Sequence, residues 1–105
     1  MKTLLLITTT FERKEDAERI ATLLLERRLV ACAQISAPIT SVYRWRGEVT
    51  IATELTLSLK TMPQHYARIE AVLLQEHPYE TPEIIGQEIP LVSNAYRDWV
   101  EQEVL

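Results

Sequence analysis

Residues 39–60 read ITSVYRWRGEVTIATELTLSLK, and this stretch decides the fold. On its first arm every second residue shares one face, which carries Ile39, Ser41, Tyr43 and Trp45. On its second arm the apolar face carries Ile51, Thr53, Leu55, Leu57 and Leu59. A period of two is typical of β-strands, and Gly47 offers a turn between the arms. The stretch therefore predicts a long β-hairpin.

The first arm of this hairpin begins earlier, because the period of two already holds from Leu29 and is interrupted only at Pro38. Each arm exceeds the usual length of a strand. In a chain of 105 residues, such a hairpin should project beyond its own sheet. Its edges and its aromatic tip then need cover from another part of the structure or from another molecule.

A strand and a helix are predicted before the hairpin. Residues 3–9 form a short apolar run that is typical of a strand buried on both faces. Acidic residues follow, and then an apolar stripe at helical spacing, which together predict a helix over residues 13–28. Arg27 and Arg28 close this segment, as cations near a helix C-terminus should.

A helix, a strand and a last helix are predicted after the hairpin. Thr61 is expected to cap a helix that ends near His77, because Pro78 disfavours helical geometry at the residue before it. Residues 84–89 predict a strand, and Asn94 is expected to cap the last helix.

The order of these elements predicts an α+β fold. Strand, helix, strand, strand, helix, strand matches the split βαβ, ferredoxin-like arrangement, in which two helices cover one face of a four-stranded antiparallel sheet, and here a C-terminal helix is added. Residues 1–105 are then a single domain. The second sheet face would expose a large apolar area in a monomer, so we expect it to be buried between subunits.

The composition excludes several classes of function. Two glycines are too few for a phosphate-binding loop or a dinucleotide-binding loop, and one cysteine excludes an intrachain disulfide and a zinc ribbon. A net charge of −4 argues against non-specific nucleic-acid binding. No apolar run is long enough to span a membrane, and the run that ends at Ile7 is too short for a signal peptide, so we expect a cytoplasmic protein.

Several blocks of the chain resemble the CutA family of divalent-cation tolerance proteins, nearly end to end and in the expected order. They are LVACA at 29–33, SVYRWRG at 41–47, LKT at 59–61, HPYETPEI at 77–84, and Tyr96 with Trp99. The resemblance implies a ferredoxin-like homotrimer whose long hairpin contacts a neighbouring subunit, with an architecture similar to PII signalling proteins. It also implies a link to divalent cations, copper among them, in clefts between subunits, and it carries over no enzymatic reaction.

His77, Glu80 and Glu83 are the candidate metal ligands, with Glu76 beside them in the sequence. Imidazole and carboxylate together suit a hard or borderline divalent ion. The alternative is a histidine that hydrogen-bonds the backbone and fixes the turn before Pro78, and both hypotheses stay open. Some family members carry a cysteine in the first strand, where this chain has Thr8 in that region, or a second histidine where it has Glu76.

Those departures argue against a soft, copper-selective site. Cys32 lies between two alanines in an apolar strand, so we expect an inert core thiol. His65 is expected to be solvated. Glu54 and Lys60 share the polar face of the second hairpin arm and are expected to be solvated as well. The resemblance places the matching charges near the cleft, which makes Lys60 a candidate anion contact.

Four aromatic residues are candidates for a ligand cleft or a subunit interface, namely Tyr43, Trp45, Tyr79 and Trp99. Aromatic side chains at a hairpin tip more often anchor an oligomer than hold a ligand, although a cleft between subunits would serve both purposes. For Trp99 a place in the core, on one face of the last helix, is the favoured interpretation.

No arrangement typical of an enzyme is found. The chain has no nucleophile elbow, and Ser41 has no evident base partner. The leading hypothesis is therefore a trimer that binds divalent cations, copper or another, without catalysis. The alternatives are a PII-like trimer that senses a small molecule near Lys60, and a structural trimer that anchors a partner protein.

Overall fold

The computed structural model describes residues 2–105, which form five strands and three helices. In chain order these are β1 (Leu4–Phe11), α1 (Lys14–Glu26), β2 (Cys32–Ile35), β3 (Ile39–Trp45), β4 (Glu48–Thr61), α2 (Tyr66–Glu76), β5 (Ile85–Ile89) and α3 (Asn94–Glu103). A short 3₁₀ turn, Pro63–His65, leads into α2. The predicted α+β class and the order of the elements are confirmed.

The strands form one antiparallel arrangement in the order β5-β1-β4-β2, with β3 paired to the first half of β4. β2 and β3 therefore lie one after the other along the same edge of β4, separated by the bend at Pro38. β1 lies between two neighbours, as its apolar run predicts. This is the ferredoxin-like strand order, with the first hairpin arm broken in two.

The predicted hairpin ends in a two-residue turn. Trp45 pairs with Glu48, and both residues between them have positive φ, 51° at Arg46 and 84° at Gly47. Positive φ at both central positions is the geometry of a type I′ turn, whose twist matches that of the flanking strands. Glycine adopts it without cost and arginine does not, so the turn geometry holds Arg46 in a conformation that it seldom adopts.

Helices α1 and α2 cover one face of the sheet and enclose the main core. Fully buried side chains of both helices pack there on alternate residues of β1 and β4: Ile7, Phe11, Ile20, Leu24, Leu57, Leu59, Ile69 and Leu73. β5 approaches closely at Gly86, where an added Cβ would lie 3.1 Å from the ring of Tyr66.

The other face of the sheet differs from the expectation of a large apolar area. α3 covers only its end at Leu4, where Val100 and Val104 pack. The remainder carries mainly polar side chains, which are Thr8, Gln34, Thr56, Ser58, Lys60 and Gln87, beside the apolar Leu6 and Ile85. The large exposed apolar side chains lie instead on the projecting hairpin, where Val42, Val49 and Ile51 are 64–70% exposed.

Three predicted helix ends are wrong. α1 ends at Glu26 rather than 28, because Arg28 turns to φ 57° and the Leu29 amide donates to the Leu24 carbonyl. Such a left-handed residue closes many helices. Thr61 caps nothing, because its hydroxyl donates to the Leu29 carbonyl across the sheet at 2.6 Å.

The third helix end that was wrongly predicted is the start of α3, whose N-cap is Ser93 rather than Asn94. The Ser93 hydroxyl oxygen accepts from the Tyr96 amide, which lies three residues on, as an N-cap does.

Candidate functional site

The segment 77–83 crosses the end of β1 and is fixed there by His77. The ring of His77 is 8% exposed and stacks on Phe11, with 4.2 Å between the ring centroids and 10° between the planes. Its Nε2 lies 2.8 Å from the Thr10 carbonyl oxygen, and its Nδ1 accepts from the Tyr79 amide at 3.1 Å. A carbonyl can only accept, so Nε2 carries the proton. Both ring nitrogens are therefore engaged with the backbone.

The surroundings of His77 favour its neutral form. Burial lowers the pKa of the imidazole, and the hydrogen bond to the Thr10 carbonyl opposes this only in part. The neutral ring also suits Nδ1, which must keep a free lone pair to accept from Tyr79. His77 is thus a neutral residue whose two hydrogen bonds attach the segment 77–83 to the end of β1.

Glu54 and Tyr79 form the second fixed contact of the segment. The Tyr79 hydroxyl donates to Glu54 Oε2 at 2.7 Å, and Glu54 is 7% exposed. Burial alone would raise the pKa of this carboxyl, but hydrogen bonds from Ser41, Tyr79 and Thr10 outweigh burial and leave it below its ordinary value. Burial and the adjacent Glu54 raise the pKa of Tyr79 well above its usual range. The expectation that Glu54 is solvated is wrong.

A cavity of about 670 Å³ opens between the hairpin, along β3 as far as Trp45, and the segment 79–83. Three aromatic residues line it, namely Tyr43, Trp45 and Tyr79. Four carboxylates line it, from Glu12, Glu54, Glu80 and Glu83, and its lining contains no basic residue. At its rim the Arg46 guanidinium pairs with Glu80 at 2.7 Å and lies 5.4 Å from the centroid of the Trp45 ring.

Five of the predicted site residues therefore come together at this cavity, and three do not. Tyr43, Trp45, Tyr79, Glu80 and Glu83 line it. His77 lies behind it and supports its segment. Lys60 lies on the polar sheet face, where its ammonium donates to Gln34. Trp99 is 41% exposed on α3 and lies 5.6 Å from the Tyr96 ring, so the favoured place in the core is wrong.

The predicted metal ligands His77, Glu80 and Glu83 do not form a metal site together in the structure. Within residues 2–105 no group of three His, Cys, Asp or Glu side chains could hold a metal ion. His77 could offer a nitrogen only by giving up one of its two backbone contacts. Any site that uses Glu80 and Glu83 therefore needs further ligands from outside the described chain.

Two other expectations for titratable residues change. Cys32 is half-buried rather than enclosed in the core, and it lies on the second sheet face opposite Lys60. His65 is 5% exposed and not solvated, and its Nε2 lies 2.7 Å from the Leu105 carbonyl oxygen. Both environments are created by α3 and the residues after it.

Sequence reasoning missed Glu12, Thr10 and the full role of Ser41 at the site. Thr10 and Glu12 follow the apolar run of β1, and polar residues directly after a buried strand are a usable signal for a site at the strand end. Ser41 shares the alternating face of Tyr43 and Trp45, so the pattern already places it on the side of the cavity.

Acidification is expected to destabilise the fold in two separate windows. The pKa of His77 is lowered on folding, so above the ordinary histidine value of about 6.5 its contribution is complete, and as the pH falls below this value the unfolded chain takes up a proton that the native ring resists. The pKa of Glu54 is lowered as well, so its contribution is lost only below about 4.3.

Urea unfolding at fixed protein concentration, measured from pH 8 down to pH 4, tests this. The free energy of unfolding should be level above neutrality, fall below about pH 6.5 by at most about 1.4 kcal/mol per pH unit, and fall again below about pH 4.3. A midpoint that stays constant between pH 7 and pH 5 would contradict the buried neutral state of His77.

Comparisons with known proteins agree on one family. The family described as CutA1 divalent ion tolerance protein matches residues 5–103. A divalent-cation tolerance protein CutA of Thermus thermophilus is 38% identical over 102 residues, covering 97% of each chain. A probable divalent-cation tolerance protein cutA homolog of Encephalitozoon cuniculi is 40% identical over 100 residues, covering 95% of this chain and 87% of the relative.

Solved structures give the same result. The divalent cation tolerance protein of Thermus thermophilus superposes with a TM-score of 0.93 at 34% identity, covering 97% of this chain and 99% of its own. The divalent ion tolerance protein CutA1 of Ehrlichia chaffeensis superposes with a TM-score of 0.91 at 38% identity, covering 98% and 96%. No helix in residues 2–105 has both the length and the hydropathy required to cross a membrane.

Proposed function

This chain belongs to the CutA1 divalent ion tolerance family, and from that membership we propose that it binds divalent cations in acidic clefts completed between three copies of itself. The observation that carries the proposal is the cavity beside the hairpin, which is lined by four carboxylates and by no basic residue. An excess of negative charge in a concave site raises the local concentration of cations. The proposed role is binding without catalytic turnover.

Glu80 and Glu83 are the proposed metal contacts, and Glu12 lines the same cavity. His77 holds their segment against β1 and is not itself a ligand in this proposal. Oxygen donors suit hard and borderline ions, and Cu²⁺ binds most tightly among the divalent first-row ions at almost any such site. We therefore propose that copper binds because of this general order of affinity and not through a soft ligand that selects it, so zinc should bind as well, more weakly.

The assembly into three copies is proposed to supply the ligands that one chain lacks, since residues 2–105 contain no preformed group of three. The apolar side chains on the projecting hairpin support assembly, because Val42, Val49 and Ile51 are exposed on one face beyond the reach of the helices. Exposed apolar patches of this kind mark interaction surfaces. The hairpin also forms one wall of the cavity, so a copy seated on it would border the cleft.

The experiment combines mass and metal titration. Light scattering should give close to three times the chain mass of 12.1 kDa. Calorimetric titration with Cu²⁺, Zn²⁺ and Mg²⁺ should then show binding that weakens by about tenfold or more in E80Q/E83Q, because two charged contacts are lost. The matched control is E15Q/E18Q, which removes the same charge from the exposed side of α1. Equal affinity in all three proteins would overturn the proposed metal site, and a monomer mass would overturn the intersubunit cleft.

A further inference from the structure

Glu54 is a buried negative charge without a lysine or arginine partner among residues 2–105, and burial lowers the pKa of the nearby His77, which favours its neutral form. It is 7% exposed, and the hydroxyls of Ser41, Tyr79 and Thr10 stabilise its ionised form. The ion pairs formed within residues 2–105 all lie elsewhere, and no lysine or arginine acts on this carboxylate. Buried charges in proteins are ordinarily paired or bound to an ion. A positive charge to pair with Glu54 then comes from outside these residues, and the cavity that Glu54 lines gives a bound cation access to it.

The cavity in front of Glu54 has the walls of a site for an organic cation. Tyr43 and Trp45 line it and remain 40% and 39% exposed, and Tyr79 adds a third ring. Aromatic faces attract cations, and Trp45 already lies within 5.4 Å of one, the Arg46 guanidinium. A volume of about 670 Å³ lies within the range of small-molecule sites.

We propose that this cavity binds a small organic ammonium ion, with its charge facing Glu54 and its alkyl groups against Tyr43 and Trp45. The aromatic walls are poor ligands for a metal, and Glu54 Oε2 already accepts from the Tyr79 hydroxyl, so the inner cavity is a poor metal site. An anion would meet four carboxylates. A neutral molecule would leave the charge of Glu54 uncompensated.

This inference goes beyond the proposed metal function and does not depend on it. The ammonium site uses Glu54, Tyr43 and Trp45, whereas the proposed metal contacts are Glu80 and Glu83 on the segment at the rim. Loss of metal binding in E80Q/E83Q would leave the ammonium site with its charge and its rings. The two proposals can therefore fail separately.

Choline and 3,3-dimethylbutan-1-ol test the proposal, because they have the same shape and differ in the positive charge. Calorimetric titration of the wild-type protein, with a chelator present to exclude metal, should show choline binding and binding of the alcohol weaker by about tenfold or more. Choline that does not bind at millimolar concentration, or equal affinity for both molecules, would overturn the proposal. This comparison needs no variant and so does not depend on one folding.

Two variants with a matched control locate the site. Glu54→Gln keeps the shape of the side chain and should weaken choline by about tenfold or more. Trp45→Phe should weaken it by about twofold to tenfold, because phenylalanine is the weaker cation–π partner. Trp99→Phe removes an equally exposed indole outside the cavity and should leave the affinity unchanged. Choline binding that is lost in Trp99→Phe and kept in Trp45→Phe would overturn the placement.

Discussion

Phe11→Ala is expected to lower the free energy of unfolding by about 3–5 kcal/mol, the range measured for buried aromatic side chains replaced by alanine. Phe11 is fully buried at the end of β1 and packs in the core formed by both helices and the sheet. Its removal leaves a cavity that the surrounding strands and helices cannot close. Urea unfolding at fixed protein concentration, with Leu74→Ala as the control, measures the loss.

This control separates the core from the surface, because Leu74 is 61% exposed on α2, away from the hairpin, and its truncation should change the free energy of unfolding by less than about 0.5 kcal/mol. Phe11→Leu gives a second point, because it keeps most of the volume and should cost less than about 1.5 kcal/mol. A loss below about 1 kcal/mol for Phe11→Ala would show that the end of β1 is not packed as described.

Phe11 matters beyond its own burial, because it joins the core to the candidate site. Its outer face is the surface on which His77 stacks, and His77 in turn holds the amide of Tyr79. Tyr79 then reaches Glu54 on β4. The stability of the core and the shape of the cavity are therefore linked through three side chains, and damage at Phe11 should reach the cavity as well.

The fold could be predicted from the sequence because its signals are local. The alternation over residues 39–60 defines the hairpin, and the apolar run of β1 defines a central strand. Helix ends were less predictable. Thr61 has the residue type of a cap, but its hydroxyl finds the Leu29 carbonyl, which is 32 residues away in the chain. Such competition between a local and a distant acceptor is decided only by the packed structure.

The site was predicted in part, and its errors share one cause. A period of two shows that Glu54 and Lys60 lie on the same face of β4, and it cannot show which of them another segment covers. Tyr79, which lies 25 residues further along the chain, covers Glu54, whereas Lys60 stays on the polar sheet face. His65 is buried in the same way by residues at the far end of the chain. Burial of a polar group by a distant loop leaves no local signal.

His77→Phe is the second substitution with a large expected effect, and it separates the two hypotheses for this residue. Phenylalanine keeps the ring that stacks on Phe11 but removes both nitrogens, so the Thr10 carbonyl and the Tyr79 amide lose a hydrogen bond inside the protein. Each such loss costs about 1–3 kcal/mol, which gives a total of about 2–6 kcal/mol. The free energy of unfolding at pH 7.5, again from urea titration, measures it.

The same variant should also remove the first window of acid destabilisation, which is the fall in the free energy of unfolding below about pH 6.5. With no imidazole at position 77, the fall in stability that starts near pH 6.5 in the wild-type protein is expected to disappear, while the fall near pH 4.3 from Glu54 remains. His65→Phe provides the control, because it removes the other histidine, and it should leave the first window in place. A first window that survives in His77→Phe would assign it to another group.

Metal titration of the folded His77→Phe protein then shows whether His77 only fixes the backbone or also binds a metal ion. If His77 only fixes the segment 77–83, the variant loses stability yet keeps its affinity for Cu²⁺ within about twofold, because Glu80 and Glu83 are untouched. If His77 is a ligand, the loss of its nitrogen should weaken Cu²⁺ far more than Mg²⁺, since imidazole favours copper and carboxylate oxygens favour magnesium. Equal weakening of both ions would instead mean that the segment has moved, and E80Q/E83Q in the same background would show no further loss.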